Sequence, residues 1–508
     1  MNKRKTEKQY LDEKLIEYGK SDYCPFHMPG HKRGIEMAAD PYAMDITEID
    51  GFDNLHDAQG ILMEAQNRAA ALYQADASYY LVNGSTCGIL AAISAAVKKG
   101  GRLLMARNCH KAVYHTAYLR ELQVSYLYPV ITTYGIQGVI TPESVRAALE
   151  KEPDIQAVIL TSPTYDGIVS DIVTISEIVH AHGIPLIVDE AHGAHLGFHP
   201  YFPQTAVRLG ADVVIQSMHK TLPSFTQTAL LHRIGNRVDG DQIARFLDIY
   251  ETSSPSYVLM AGMDRCVRML EENGTSYFTE YADLLKEFYQ EASELHRLKV
   301  LQPGELTKEE CYAFDPSKIV INGSGCNRNG KQLYEIFLNQ YHLQMELCSG
   351  DYVLAMTSFL NCKEDFERLL HALKEIDAEC QKEIVDRCTK EVGDGNDKED
   401  NHKANREDYK NSIRADGLNA SGFISRVYIT NEKAFEIYEA VDCNKNEIPL
   451  AKAAGKLAGD YIYLYPPGIP LLVPGEIITE EMIENIMECI RMNLDVKGVH
   501  KQRINIVN

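Results

Sequence analysis

Lys220 stands in VIQSMHKTLPS, directly after an apolar run that reads as a strand, with Ser217, His219 and Thr221 crowded around it. A lone lysine is most often a solvated surface charge. A lysine fixed in a strand-to-loop turn can instead form a Schiff base with a carbonyl. The hydroxyl and imidazole donors beside it suit a phosphate. Asp189 ends a second apolar run, in IPLIVDEAHGAH. A carboxylate at the end of a buried strand is aimed at whatever binds beyond it, and beside a pyridine nitrogen it favours that nitrogen's protonated form. Asp189, His192 and His195 are also close enough in sequence to suggest a metal. However, His-Glu-x-x-His is absent and no second ligand cluster stands out, so no metal is expected.

Two further pieces complete the set. In LVNGSTCGILAAISAAVKKGG, Ile89, Ile93 and Val97 recur every fourth residue, which predicts a helix with one buried face. Lys98 and Lys99 suit its C-terminal dipole, and Gly100 and Gly101 stop it. At its start, Asn83-Gly84-Ser85-Thr86 offers free N–H groups and two hydroxyls, an anion cup. An ordinary N-cap is the simpler role for that tetrapeptide alone. No Gly-Lys-Ser/Thr follows and no Gly-x-Gly-x-x-Gly is present, so neither a P-loop nor a dinucleotide fingerprint applies. His110, in ARNCHKAVYH, follows the apolar run RLLMA, where a flat imidazole can stack on a ring or simply face solvent. Phosphate cup, ring stacker, carboxylate and lysine thus occur in that chain order, each after an expected strand. Pyridoxal phosphate needs the lysine and the phosphate donors, and the conjunction of all four is specific.

These groups need a scaffold that brings strand ends together. RLLMA (Arg102 to Ala106), AVILTS (Ala157 to Ser162), IPLIVDEAH (Ile184 to His192), DVVIQS (Asp212 to Ser217) and TALLH (Thr228 to His232) read as buried strands, with helical spacing between them. That alternation predicts an α/β fold with a mostly parallel central sheet flanked by helices, and ligands at the strands' C-terminal ends. From about Cys266 to Lys390 helical patterns dominate around a strand-like SKIVIN (Ser317 to Asn322). Lys390 to Lys410 holds almost no large apolar residue and reads as an exposed linker. FISRVYIT (Phe423 to Thr430) and DYIYLYPPGIPLLVPGE (Asp460 to Glu476) then suggest a small α+β domain.

The 508 residues suffice for about three domains. With 51 Lys plus Arg against 72 Asp plus Glu, the formal charge is −21, which disfavours general nucleic-acid binding. No window approaches the ~18 uninterrupted apolar residues of a membrane span. The first residues lack the apolar core of a secretory signal. The 12 cysteines are scattered with no Cys-x-x-Cys, as expected of reduced thiols in a cytoplasm.

The motifs FHMPGHKRG (Phe26 to Gly34), DITEIDGFDNLH (Asp45 to His56), NGSTCG, RNCHKA, TSPTYDG (Thr161 to Gly167), VDEAHGAH, QSMHKTLPSFTQTA, TSSPSY (Thr252 to Tyr257) and YPPGIPLLVPGE (Tyr465 to Glu476) run in order over nearly the whole chain. In them the sequence resembles the bacterial Orn/Lys/Arg decarboxylases of the aspartate-aminotransferase fold, fold type I pyridoxal-phosphate enzymes. It is similar to the shorter members, without an N-terminal wing domain. The resemblance and the element pattern together suggest an N-terminal arm (1–31), a cofactor-binding large domain (32–265), a small domain (266–389) and a C-terminal α+β domain (416–508); the charged flexible linker between the last two (390–415) is read from composition and is not part of the family pattern. The resemblance also implies that Lys220 carries the cofactor, Asp189 pairs with its ring nitrogen and His110 stacks on the ring. Ser85, Thr86, Ser217 and His219 would hold the phosphate, with His192 near the substrate carboxylate. Thr252 and Ser253 would add phosphate contacts, across the interface of a homodimer or larger homo-oligomer.

The implied reaction is decarboxylation of a basic amino acid, arginine first and then lysine or ornithine. The distal cation needs an acid, for which Glu476 is the leading candidate. Asp166 and the acids of DITEIDGFDNLH (Glu48, Asp50, Asp53) follow. An aminotransferase on the same fold and a non-catalytic regulatory paralogue are the alternatives.

Overall fold

The computed structural model describes residues 10–36, 39–393, 428–465, 468–491 and 494–508, with the side chains of 384–393 outside the description. One sheet organises the first half of the chain. Its strands are β1 (Ala77–Leu81), β2 (Arg102–Ala106), β3 (Gln123–Leu127), β4 (Ile155–Thr161), β5 (Leu186–Asp189), β6 (Val213–Gln216) and β7 (Ala229–Arg233). They lie in the order β1-β7-β6-β5-β4-β2-β3. Only β7 runs against its neighbours, β1 and β6, and the remaining neighbours pair in parallel. All five runs expected as strands lie in this sheet. Its two edges, ASYYL and QVSYL, carry alternating serine, glutamine and tyrosine and are only half-buried, so they lack the apolar run that marks the middle.

Helix α1 (Gly84–Ala96) follows β1 and lies against the sheet, with α2 (Lys111–Leu119) and α3 (Gly240–Tyr250) beside it. It is buried on more than the one expected face, because sheet and helices enclose it together. The approach is close. A Cβ on Gly88 would come within 2.6 Å of Leu81 Cδ1 and 3.2 Å of Ile215 Cγ2. The helix ends at Ala96, so Lys98 and Lys99 lie past its last turn rather than in it.

Beyond α4 (Tyr257–Ala292) comes an antiparallel sheet of β8 (Lys299–Val300), β9 (Lys318–Asn322), β10 (Leu347–Ser349) and β11 (Tyr352–Met356), ordered β8-β9-β11-β10. Helix α5 (Lys363–Gly393) packs on α4 and runs past the expected boundary at 389. Residues 394–415 of the expected linker and 423–427 of the expected strand lie outside the described residues. The C-terminal part has its own apolar core, including Leu450, Ile462, Leu472, Ile486 and Ile504. Among the described residues no helix is long and apolar enough to cross a membrane.

Candidate active site

The carboxyl ends of β1, β2, β4, β5 and β6 share one edge of the large sheet, and the expected residues follow them directly. Ser85 and Thr86 open α1, with their backbone N–H groups in its first turn. Ser217 follows β6, and its Oγ lies 2.6 Å from Ser85 Oγ, which joins the two hydroxyl carriers. Lys220 sits on a single helical turn, Met218–Thr221. His219 on the same turn has Nδ1 3.0 Å from the Thr228 carbonyl. His110 caps α2, Nδ1 accepting the Ala112 N–H at 3.2 Å, so the cap and the expected ring position coincide in one side chain. Ser85, Thr86, His110, Asp189, His192, Ser217, His219 and Lys220 all line one cavity of about 330 Å³.

Burial controls the charges there. Lys220 Nζ lies 2.9 Å from His192 Nε2. Burial lowers the Lys220 ammonium below the usual lysine value, while Asp189 and Glu346 pull it partly back up. Burial also raises the Asp189 carboxyl, with Lys220 and the Ala191 N–H (3.2 Å to Oδ1) opposing. His110 is pushed down to about 3 and His219 to about 4, by burial first, with Lys220 adding to both, and His192 falls well below its ordinary value for the same reasons. The imidazoles are therefore neutral near pH 7, when His192 Nε2 accepts from the Lys220 ammonium. The Tyr165 ring lies against His192, centroids 4.3 Å apart, and its hydroxyl is anchored on Glu346. The other Glu346 oxygen accepts the Met28 N–H at 2.8 Å, which ties the N-terminal segment to the cavity wall.

Three sets of expected residues do not meet at this cavity. Glu476 is fully buried elsewhere, its carboxylate 3.2 and 3.3 Å from Arg107 Nη2. It also accepts the Val473 N–H at 3.0 Å and the Asn431 amide at 3.3 Å. Its lone pairs are spent on holding YPPGIPLLVPGE against Arg107, so the expected role at the distal cation is corrected to a structural one. Thr252 and Ser253 are exposed at the turn between α3 and α4, away from this chain's cavity. Glu48 and Asp50 are exposed, and Asp53 is engaged by the N–H groups of Asn54, Gln59, Gly60 and Leu62. Asp166 does line the cavity.

Sequence reasoning missed other lining residues: Asn108, Gln137, Thr161, Tyr165, Tyr352 and Tyr428. Thr161 and Tyr165 lay inside a quoted motif and Asn108 beside His110, so proximity was the available signal. Gln137 and Tyr352 come from separate loops and strands, with no local pattern to mark them, and Tyr428 lay in the quoted run FISRVYIT, which carried no chemical signal.

A mostly parallel sheet with one antiparallel strand, and a buried lysine at its carboxyl edge, are the architecture of the fold type I pyridoxal-phosphate enzymes. Solved structures share the fold. A lysine decarboxylase from Francisella novicida superposes with a TM-score of 0.75 at 20% identity, covering 97% of this chain and 80% of that one. A ureidoglycine-glyoxylate aminotransferase from Bacillus subtilis gives a TM-score of 0.55 at 14% identity, covering 70% and 94%. Within that class, residues 10–329 match the Orn/Lys/Arg decarboxylase major domain and 423–498 match the family's C-terminal domain. The chain belongs to the Orn/Lys/Arg decarboxylase family, and its activity class is decarboxylation of a basic amino acid. It is 28% identical to an arginine decarboxylase of Bacillus anthracis, over 95% of this chain and 93% of that one. It is 31% identical to the uncharacterized protein YaaO of Bacillus subtilis, over 95% of each.

Proposed function

We propose that this chain is a pyridoxal-phosphate-dependent arginine decarboxylase that releases CO2 and agmatine. The observation that carries the reading is one cavity lined by Lys220, Asp189, His110 and the hydroxyls of Ser85, Thr86 and Ser217. Near-full-length similarity to arginine decarboxylases of Bacillus anthracis and Bacillus subtilis supports arginine over lysine or ornithine. The cavity fits the cofactor on its own chemistry. Asn108 Oδ1, Thr161 Oγ1 and His192 Nδ1 are buried at its wall without a partner among the described residues, as expected where a polar group belongs.

In this reading Ser85, Thr86, Ser217, His219 and the first N–H groups of α1 hold the phosphate. Asp189 holds the ring nitrogen, His110 covers the ring face and Lys220 supplies the covalent link. When bound, the cofactor draws off the electron pair left at Cα when CO2 departs. The protein's own part is positional and protonic. Burial lowers the Lys220 ammonium, which favours the neutral amine that can attack a carbonyl. His192 Nε2, at 2.9 Å, accepts a hydrogen bond from the Lys220 ammonium and so positions it. Tyr165, fixed between Glu346 and His192, holds that imidazole in place and helps to keep water from Cα.

We assign Thr252 and Ser253 to the partner's site in a homodimer, which accounts for their exposure here, and we place the enzyme in the cytoplasm. The test is incubation of cofactor-loaded protein with arginine, lysine and ornithine in turn, with CO2 and amine identified. Agmatine from arginine is expected as the fastest product. A keto acid in place of CO2, or no turnover of any of the three, refutes the proposal.

A further inference from the structure

The cavity holds two carboxylates, Asp189 and Asp166, among the described residues that line it. Asp189 ends β5 beside Lys220 and belongs to the reacting end. Asp166 lies in the loop after β4 and is buried, with Oδ1 accepting the Tyr352 hydroxyl at 2.8 Å. Among the described residues no basic side chain pairs with it. An acid held in a cavity by one neutral hydroxyl is poorly compensated. A second acceptor is in the same condition. Gln137 is 7% exposed and lines the cavity, and its Oε1 has no partner among the described residues. Its place is fixed by a tight hairpin, in which Gly138 N–H donates to Val130 O at 2.6 Å and Val130 N–H to Val139 O at 3.0 Å. Tyr165, Tyr352 and Tyr428 line the cavity as well, and their faces suit a cation.

We infer that Asp166 and the Gln137 carbonyl together receive the substrate's distal cation, and that the pair favours a guanidinium over an ammonium. The inference rests on the proposed decarboxylase reading and deepens it. A guanidinium is planar and offers five N–H donors in a fixed fork, enough to reach a carboxylate and a carbonyl at once. An ammonium is a compact point charge that can be satisfied by the carboxylate with water, so it gains less from the carbonyl.

The experiment compares Asp166→Asn and Gln137→Leu with the parent in two assays on cofactor-loaded protein: steady-state turnover of arginine and lysine, and calorimetric binding of agmatine. Asp166→Asn is expected to raise the arginine KM roughly ten- to a hundredfold, the loss of one charge-assisted hydrogen bond, and to weaken agmatine in step. Gln137→Leu is expected to raise the arginine KM about fivefold and the lysine KM less. Cofactor absorbance and the thermal midpoint should stay at parental values. If Asp166→Asn does not fold, Tyr352→Phe, which frees the Asp166 carboxylate of its one hydroxyl donor, replaces it and should shift the arginine KM with little change in kcat. Unchanged arginine KM and agmatine affinity in the variants overturn the inference and leave the decarboxylase reading intact. Agmatine binding that depends on Asp166, with no turnover of any amino acid, sinks that reading and upholds the inference. A parent protein that neither turns over arginine nor binds agmatine refutes both.

Discussion

Lys220 has a neutral histidine at 2.9 Å rather than a carboxylate, and burial lowers its ammonium. Borohydride treatment of the cofactor-loaded protein should therefore fix the label on Lys220, and a peptide map locating it on another lysine would refute the assignment. Asp189→Asn keeps shape but removes the charge proposed to hold the ring nitrogen's proton. Turnover should fall by about 3 kcal/mol, roughly a hundredfold, while cofactor is retained. Turnover near the parental rate would mean that Asp189 does not serve the ring. Asp166 sets a pH dependence. Burial raises its carboxyl to about 6, with the Tyr352 hydroxyl opposing. Its ionised form is the one that attracts a cation, so kcat/KM for arginine should decline as pH drops through about 6, and Asp166→Asn should lose that acidic limb. An identical limb in the variant would assign it to another group. These residues were unequally legible. Lys220, Asp189 and His110 follow apolar strands, where polarity ends abruptly and the sequence itself marks a position. Glu476 sat in an equally marked motif, yet its partner Arg107 is over three hundred residues away, and nothing local revealed the pair.

At the level of elements, the turn that carries Lys220 is braced from the other end of the chain. Gly30 donates its N–H to the His219 carbonyl at 2.7 Å, and its own carbonyl accepts the Ser358 hydroxyl at 2.6 Å. A Cβ on Gly30 would stand 2.7 Å from both Leu222 N and the Thr221 carbonyl carbon, backbone atoms that cannot swing aside. Gly30→Ala must therefore displace the Met218–Thr221 turn. We expect kcat to fall on the order of a hundredfold, the scale of an ångström misplacement at a reacting group, together with a lowered thermal midpoint, because the turn is overpacked against backbone. Parental kcat in that variant would show that the turn tolerates the shift. The sequence displayed FHMPGHKRG as a motif, but its reason, a close approach of two backbones nearly two hundred residues apart, is a tertiary fact. The same division holds along the sheet. Central strands, covered on both faces, were legible as apolar runs. The edge strands β1 and β3 were not, since half of each faces polar surroundings.

On the scale of the whole molecule, the cavity has walls from three parts of the chain. The large sheet supplies Lys220 and Asp189, the small sheet Tyr352, and the C-terminal part Tyr428, Tyr465 and Ile469. The last wall exists only while that part stays docked, and Arg107 is one of the residues that dock it, beside Tyr118, which donates to Asp442, and Lys433, which donates to the Val124 carbonyl. The Arg107 guanidinium donates to the Pro470 carbonyl at 2.8 Å and to Glu476 at 3.2 Å, and lies 5.4 Å from the centre of the Tyr126 ring. Arg107 and Glu476 are both buried, so removing one partner leaves an uncompensated charge. That typically costs about 3–5 kcal/mol. Glu476→Gln should therefore lower the thermal midpoint clearly. Where the protein remains folded, the arginine KM should move far less than in Asp166→Asn, because Glu476 lies outside the cavity. Arg107→Met should be at least as destabilising, since it strands the Glu476 carboxylate and frees the Pro470 carbonyl together. The opposite pattern, an unchanged midpoint with a tenfold or larger rise in KM for Glu476→Gln, would return the distal cation to Glu476. It would also mean that the Arg107 contact contributes little to holding the third wall in place.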